Sequence, residues 1–287
     1  MDENKITPAQ LWTNYTTYNC RKWLGFWTKW NPHTGEVLDS FDSIRHIQLI
    51  DDSRMKHQNT FIYKDGSSKN TGPMNGPWEY LKDRDCDEHG MIHPSSRKIG
   101  NDARAFFVQN GGGTWTIMRV KEKKIFFFEL FFPDHFKRFS NGVQYDAEGN
   151  AARLTLIRED NRSRPSLYWS KEIDFRKDFD TKGEFYGTEI TLSANLIQLT
   201  KTNCHWNREY WEKQHRSDAN KSVVYLPDKV MTSFPARVHP SLSFHVKVFC
   251  HYTEGDQNEV REETIYFENG AFSHFKQGIY FPVDKKS

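Results

Sequence analysis

The sequence predicts an all-β fold, arranged as two successive units of antiparallel strands behind one short helix. Three observations lead there. From about residue 24 onward apolar residues recur with a period of two in segment after segment, the alternation of a pleated strand. Turn signals separate these segments, with almost no helical periodicity between them. A polar run from Glu159 to Pro165 then divides the strands into two batches.

The first element is the helix. Thr7 supplies an N-cap, Pro8 suits the first turn, and Gln10 stands three residues after the cap, where its amide can return a hydrogen bond. Leu11, Tyr15 and Tyr18 share a face, so about 12 helical residues are expected. Strands follow at 24–30, 43–50, 57–63, 105–109, 114–120, 124–132, 142–145 and 153–158, with turns such as Lys64-Asp65-Gly66 and Asn110-Gly111-Gly112-Gly113 between them. Residues 66–100 are less regular, and the run from Gly72 to Pro77 reads as a long loop able to form a lid. The second batch comprises 168–173, 184–192, 196–200, 222–226, 243–251, 260–267 and 278–283, with a short helix at 206–215.

Composition bounds what such a fold can do. The 22 Phe, 12 Tyr and 9 Trp make up 15% of the chain, although hydrophobic residues total only 36% and the mean hydropathy is -0.82. Rings therefore supply most of the apolar surface, either as a core of short strands or as the walls of an enclosed pocket. Forty basic residues nearly cancel 38 acidic ones, so no overall field argues for nucleic acid or an anionic membrane. The start, MDENKITPAQLW, has neither a basic end nor an apolar run, and no stretch approaches a membrane span. Cys20, Cys86, Cys204 and Cys250 are widely scattered, the pattern of reduced thiols. A cytoplasmic protein is expected, and assembly as a homodimer is compatible with all of this.

Two segments carry candidate chemistry. In the run from Lys123 to Phe132, Phe126, Phe128, Leu130 and Phe132 share one side of a strand, and Ile125, Phe127, Glu129 and Phe131 the other. A carboxylate among rings either meets an arginine such as Arg119, or is held protonated and ready for acid–base work. The run from Asp85 to His93 brings Cys86, His89 and His93 together, but without the spacing of a second ligand pair, so a polar loop is favoured over a metal site. If that loop covers a barrel mouth, His89 or His93 is the candidate general acid–base. The alternation in 244–251 puts His245, Lys247 and His251 on a wet face. No nucleophile elbow, phosphate loop or dinucleotide fingerprint is present, and no cofactor is expected. Gly111-Gly112-Gly113 lies between strands, so it reads as a hairpin.

The two batches share details in the same order. Tyr145-Asp146-Ala147-Glu148-Gly149 is matched by Tyr266-Phe267-Glu268-Asn269-Gly270, and Gly25-Phe26-Trp27 is echoed by Gly183-Glu184-Phe185, which points to a diverged internal duplication. Gly25-Phe26-Trp27, on a first strand after a short helix, resembles the Gly-x-Trp signature of the calycin superfamily, the lipocalin-like barrels. There the Trp closes the barrel floor against a basic residue from a late strand, for which Arg138 or Arg153 in the first unit and Arg261 in the second are candidates. The whole chain is similar to a largely uncharacterised cyanobacterial and algal family with two successive lipocalin-like domains. That resemblance is carried by Gly25-Phe26-Trp27, Gln58-Asn59-Thr60 with Tyr63 and Gly66, Tyr145-Asp146 with Gly149, 154–159, and Tyr225-Leu226-Pro227-Asp228. The second unit departs from it at Phe185 and Phe267.

The resemblance implies two successive antiparallel β-barrels, residues 1–160 and 161–287, the second diverged. It implies a hydrophobic small-molecule partner, such as a lipid, carotenoid or bilin. Trp27, Tyr63, Trp115, Phe126 and Phe128 are the candidate ligand-binding residues. The alternative is a cofactor-independent isomerase, cyclase or chromophore lyase in which Glu129, His89 or His93 moves protons. A third reading is an assembly factor that uses its outer aromatic surface.

Overall fold

The computed structural model describes residues 3–72, 74–178, 181–216, 220–253 and 258–283. It opens with α1 (Pro8–Asn19), whose capping box forms as expected: Thr7 Oγ1 accepts from Gln10 N at 3.1 Å and Gln10 Oε1 accepts from Thr7 N at 2.7 Å. Strands β1 (Lys22–Trp30), β2 (Val37–Asp51), β3 (Arg54–Ile62), β4 (Ser68–Lys69) and β5 (Trp78–Leu81) follow. After α2 (Lys82–Asp85) come β6 (Cys86–Asp87), β7 (Gly90–Met91) and α3 (Pro94–Ile99). The unit ends with β8 (Ala103–Phe107), β9 (Gly113–Ile117), β10 (Phe126–Pro133), β11 (Lys137–Tyr145) and β12 (Ala151–Asp160). A second series comprises β13 (Glu184–Ser193), β14 (Gln198–Asn207), α4 (Arg208–Arg216), β15 (Lys221–Leu226), β16 (Val230–Pro235), β17 (Phe244–Tyr252), β18 (Glu259–Glu268) and β19 (Ala271–Pro282). No helix among the described residues is long and apolar enough to cross a membrane.

All strand pairs are antiparallel, in one sheet of twelve strands and one of seven. The order is β4-β3-β2-β1-β12-β11-β10-β9-β8-β7-β6 in the first, with β5 also on β3, and β14-β13-β19-β18-β17-β16-β15 in the second. In each, the opening strand pairs with both the next strand and the last one.

Neither sheet closes on itself by strand pairing among the described residues, which corrects the expectation of sealed barrels. In the first, the seam between β5 and β6 is spanned by the chain itself, through α2. Buried Asp85 holds that seam: its carboxylate accepts from Leu81 N at 2.8 Å and from Arg97 Nη2 at 2.9 Å, and its carbonyl accepts from Ile92 N at 2.7 Å. In the second, α4 packs beside the two unpaired edges β14 and β15, with Tyr225 Oη donating to Glu212 Oε1 at 2.8 Å.

The outer faces of β10 and β11 pack on the second sheet. Phe126 meets Phe267 edge-on at 5.3 Å, Phe139 meets Tyr252 at 5.7 Å, and Tyr252 Oη donates to Phe132 O at 3.1 Å. The strand expected at 168–173 is instead an extended strap across the outer face of β1. Trp169 stacks on Phe26 at 6.5 Å, and Trp30 Nε1 donates to Ile173 O at 2.6 Å, so its rings dock face-on where a strand would have joined an edge. β16 was not expected from the sequence because all six of its residues are buried. A strand covered on both faces shows no alternation.

Candidate functional site

The inward half of each alternation in the first sheet surrounds a cavity of about 250 Å³. Its polar end is an ion cluster. Glu159 lies between Arg45, whose Nε is 3.0 Å from Oε1, and Arg138, whose Nε donates to Oε2 at 2.7 Å. Arg138 Nη1 also donates to Asn19 Oδ1 at 2.5 Å, tying α1 to the cluster. Gly25 is paired with both Ser43 and Glu159. A Cβ at that position would stand 2.7 Å from Ser43 Oγ and 2.9 Å from Glu159 Cγ, so only glycine lets the carboxylate lie across β1.

Trp27, two residues on, faces the same interior. Its Nε1 donates to Ser43 Oγ at 3.0 Å, and its ring meets Phe61 at 5.2 Å. The guanidinium over Trp27 belongs to Arg45, at 5.4 Å, and Arg138 instead covers Trp23, at 4.8 Å. This corrects the expected partner: the arginine comes from the second strand, not from a late one. Arg153 donates to Gln144 Oε1 at 2.6 Å on the cavity wall, and Arg261 lies over Tyr252 at 5.2 Å, away from Phe185.

The remaining wall is aromatic. His93 stacks on Trp115 at 5.0 Å and meets Trp78 edge-on at 4.7 Å, while His57 meets Trp78 at 5.0 Å and Trp115 meets Phe127 at 4.8 Å. Glu129 is set between Gly142 and Trp115 in register, and its Oε1 accepts from Ser140 Oγ at 2.6 Å. Burial pushes its carboxyl above the usual range, against the opposing pull of Arg45, the Ser140 hydrogen bond and Arg138. Burial, reinforced by Arg45, brings His93 down to about 3 and His57 well below an ordinary imidazole. Both rings are therefore neutral at pH 7. His93 Nδ1 accepts from Ser95 N at 3.1 Å as the N-cap of α3, a role that occupies the lone pair a general base would use.

Of the residues singled out from sequence, Trp27, Trp115, Phe128, Glu129 and His93 border the cavity. Tyr63, Phe126 and His89 do not. Tyr63 packs 5.6 Å from Phe41, outside the lining. Phe126 lies between the two sheets, and Phe128 shares its outward face, with its nearest ring partner Tyr145 at 6.4 Å. The inward residues of β10 are Phe127, Glu129 and Phe131. His89 stands in solvent on the turn after β6, with a side chain 67% exposed and 3.7 Å from Glu88. Cys86 Sγ instead faces Pro8 O at 3.3 Å, so the Cys-His-His run gathers at no common point.

Arg45 and His57 are the residues the sequence reading missed. Both had a readable signal, because they fall on the inward parity of their strands: Arg45 with Phe41 and Ile47, His57 with Met55 and Phe61. Trp78 and Tyr80 gave none, lying in the irregular stretch before α2.

Comparison with known proteins gives the following. A family model described as "Domain of unknown function (DUF3598), N-terminal" matches residues 9–164. A crystal structure of a DUF3598-family protein of unknown function from Nostoc punctiforme PCC 73102 superposes with a TM-score of 0.65 at 15% identity, covering 95% of this chain and 99% of that one. At that identity the likeness concerns the fold alone. No curated protein matches.

Proposed function

The chain belongs to the DUF3598 family, and from that premise and the make-up of the cavity we propose that it binds a hydrophobic small molecule inside its first sheet, in the manner of a lipocalin-like barrel. Residues 1–160 would be the binding unit, and residues 161–287 its diverged counterpart. The observation that carries this reading is the half-open space of about 250 Å³ walled by Trp27, Trp78, Trp115 and Phe127, with the Arg45–Arg138 ion cluster at one end. Apolar surface removed from water against such rings stabilises a complex by ~25 cal/mol per Å², while a few fixed polar groups set orientation. The four free thiols suit a reducing compartment such as the cytoplasm.

Size narrows the guest. The volume equals that of about eight liquid waters, below the ~300 Å³ at which pockets for drug-sized ligands begin. A lipid fragment or a cleaved piece of pigment fits this space better than a full-length carotenoid or bilin. Mass spectrometry of organic extracts from freshly purified protein tests the reading: one recurring apolar species is expected. No such species, together with no quenching of tryptophan emission by any small apolar probe, would overturn it.

A second reading rests on Glu129, a buried carboxyl shifted upward beside Ser140. In a proton-moving isomerase or cyclase, Glu129→Gln abolishes turnover of the bound species. In a carrier the same change leaves the species bound and unaltered.

A further inference from the structure

The polar end of the cavity is unbalanced. Two guanidinium groups, Arg45 and Arg138, converge there on one shared carboxylate, Glu159. Arg138 donates from Nε to Glu159 and from Nη1 to Asn19, while its buried Nη2 lies against Glu159 Oε2 without a hydrogen bond. Arg45 makes no such bond: its buried Nε stands 3.0 Å from Glu159 Oε1 as an ion pair without hydrogen-bond geometry, and its Nη groups, on the cavity lining, make no hydrogen bond to any described residue. Donors of a buried charge left unfilled are costly. A guanidinium presents them as a flat fork that matches a carboxylate at two points. Glu129 does not fill that fork. It is engaged with Ser140, and its burial favours the uncharged form.

The neighbouring wall also holds an unfilled donor, the buried Nε1 of Trp115. At this end two guanidinium groups face one charged carboxylate, and the third arginine of the lining, Arg153, is taken up by Gln144 on β11. A cationic guest would meet no free carboxylate, and a neutral one would leave the Arg45 fork dry. The rest of the lining is flat rings around a small volume.

Resting on the binding reading above, we propose that the guest is a compact, planar monocarboxylate, its carboxylate held by the Nη groups of Arg45 and its flat body lying among Trp27, Trp115 and Phe127. Arg45 is then the residue that selects acids over their neutral analogues.

The test is calorimetric titration of the intact protein with trans-cinnamate and with trans-cinnamamide, which share a shape and differ in charge. The acid is expected to bind ~10-fold tighter or more, about 1.4 kcal/mol. Arg45→Gln is expected to erase that preference. Because this variant also loosens Glu159, its melting curve is recorded beside that of Arg45→Lys, and the acid–amide comparison on the unaltered protein stands without either. Amide binding as tightly as acid, or a preference that survives in Arg45→Gln, overturns the carboxylate assignment and spares the binding reading. Heat from neither probe overturns the assignment too, and if naphthalene also fails to quench the tryptophans, the binding reading falls with it.

Discussion

In the first sheet the inward positions beside Glu159 and Glu129 are glycines, Gly25 and Gly142. In the second, the inward face carries Trp206, Phe249 and Tyr280, with Trp211 of α4 laid against Phe249 at 5.5 Å. Glycine is present there as well, at Gly278, but the Tyr280 ring folds over it, the way an aromatic covers a bare stretch of strand. One strand order thus gives two interiors, and small inward residues decide which one stays open. The polar groups differ in parallel. Lys247 meets Glu262 at 3.1 Å, Trp206 Nε1 donates to Glu262 Oε2 at 3.1 Å, and Tyr280 Oη donates to Glu189 Oε1 at 2.8 Å. In the first sheet Trp115 Nε1 and His57 Nδ1 are buried without partners, and the Nη groups of Arg45 are unfilled. Rings line both units, so ring content alone says nothing about binding. Buried atoms without a partner occur in both, Ser233 Oγ and Thr264 Oγ1 among them in the second, so what distinguishes the units is which groups stay open: an indole, an imidazole and a guanidinium around the first cavity.

The largest test of this contrast is removal of the central carboxylate in each unit. Glu159→Ala leaves two buried guanidinium groups facing each other and is expected to destabilise the protein by ~3–5 kcal/mol. Glu262→Ala strands Lys247, whose side chain is 11% exposed, and one indole N–H, and a loss of about 2 kcal/mol is expected. Urea unfolding of both variants measures the difference. Equal losses would show that the two clusters are doing the same job.

Acid should separate the units next. The His93 pKa is lowered from 6.5 to about 3 by burial, then by Arg45, with Asp85 opposing. A depressed folded pKa means that the stabilising contribution is present above pH 6.5 and is lost as pH falls from there toward 3, by up to ~1.4 kcal/mol per unit. His57 adds a shift of the same sign. His251 in the second unit is also lowered, but both its ring nitrogens are hydrogen-bonded, to Thr181 and Asn258. Hydrogen exchange at pH 4.5 is therefore expected to show β3, β5 and β9 opening before β17 and β18, and His93→Gln to flatten the acid limb of the first unit. Simultaneous opening would contradict it.

Much of this was readable before any coordinates, and the failures share a cause. The capping residues Thr7 and Gln10 located α1, and strict alternation located β3, which has one wet and one buried side, while β1 and β12 were found although both of their faces are largely covered. β10 was found as a strand, but Phe126 was assigned to the cavity when Phe127, Glu129 and Phe131 face it, and Phe128 borders it from the strand's other face. Both sides of β10 are apolar, one for the cavity and one for the second sheet, and a period of two does not say which side is inside. β16 was lost for the same reason. The strap at 168–173 has strand-like residues but spends its rings on Phe26 and Trp30, which no local rule anticipates. Within the candidate site, Glu129 and Trp115 were legible as oddities in their own strands. The pairing of Arg45 with Glu159 was not, since it joins residues 114 positions apart in sequence through Gly25, whose role is to be absent.

The smallest expected effect is the most discriminating, because it asks the two interiors the same question. Ala105 lies on β8 with its side chain on the cavity, opposite Trp115 in register. Ala105→Leu adds apolar bulk where there is already room, so stability should change by less than about 1 kcal/mol while guest binding is lost. Gly278→Ala is a smaller change in volume, yet its new methyl would land on the Tyr280 ring and hydroxyl. Overpacking of that kind costs ~1–3 kcal/mol. Melting temperatures of the two variants, with cinnamate titration of the first, decide the matter. If Ala105→Leu is the more damaging, the first interior is not open in the sense the cavity implies, because a void that rejects three added carbons has walls already in contact under thermal motion.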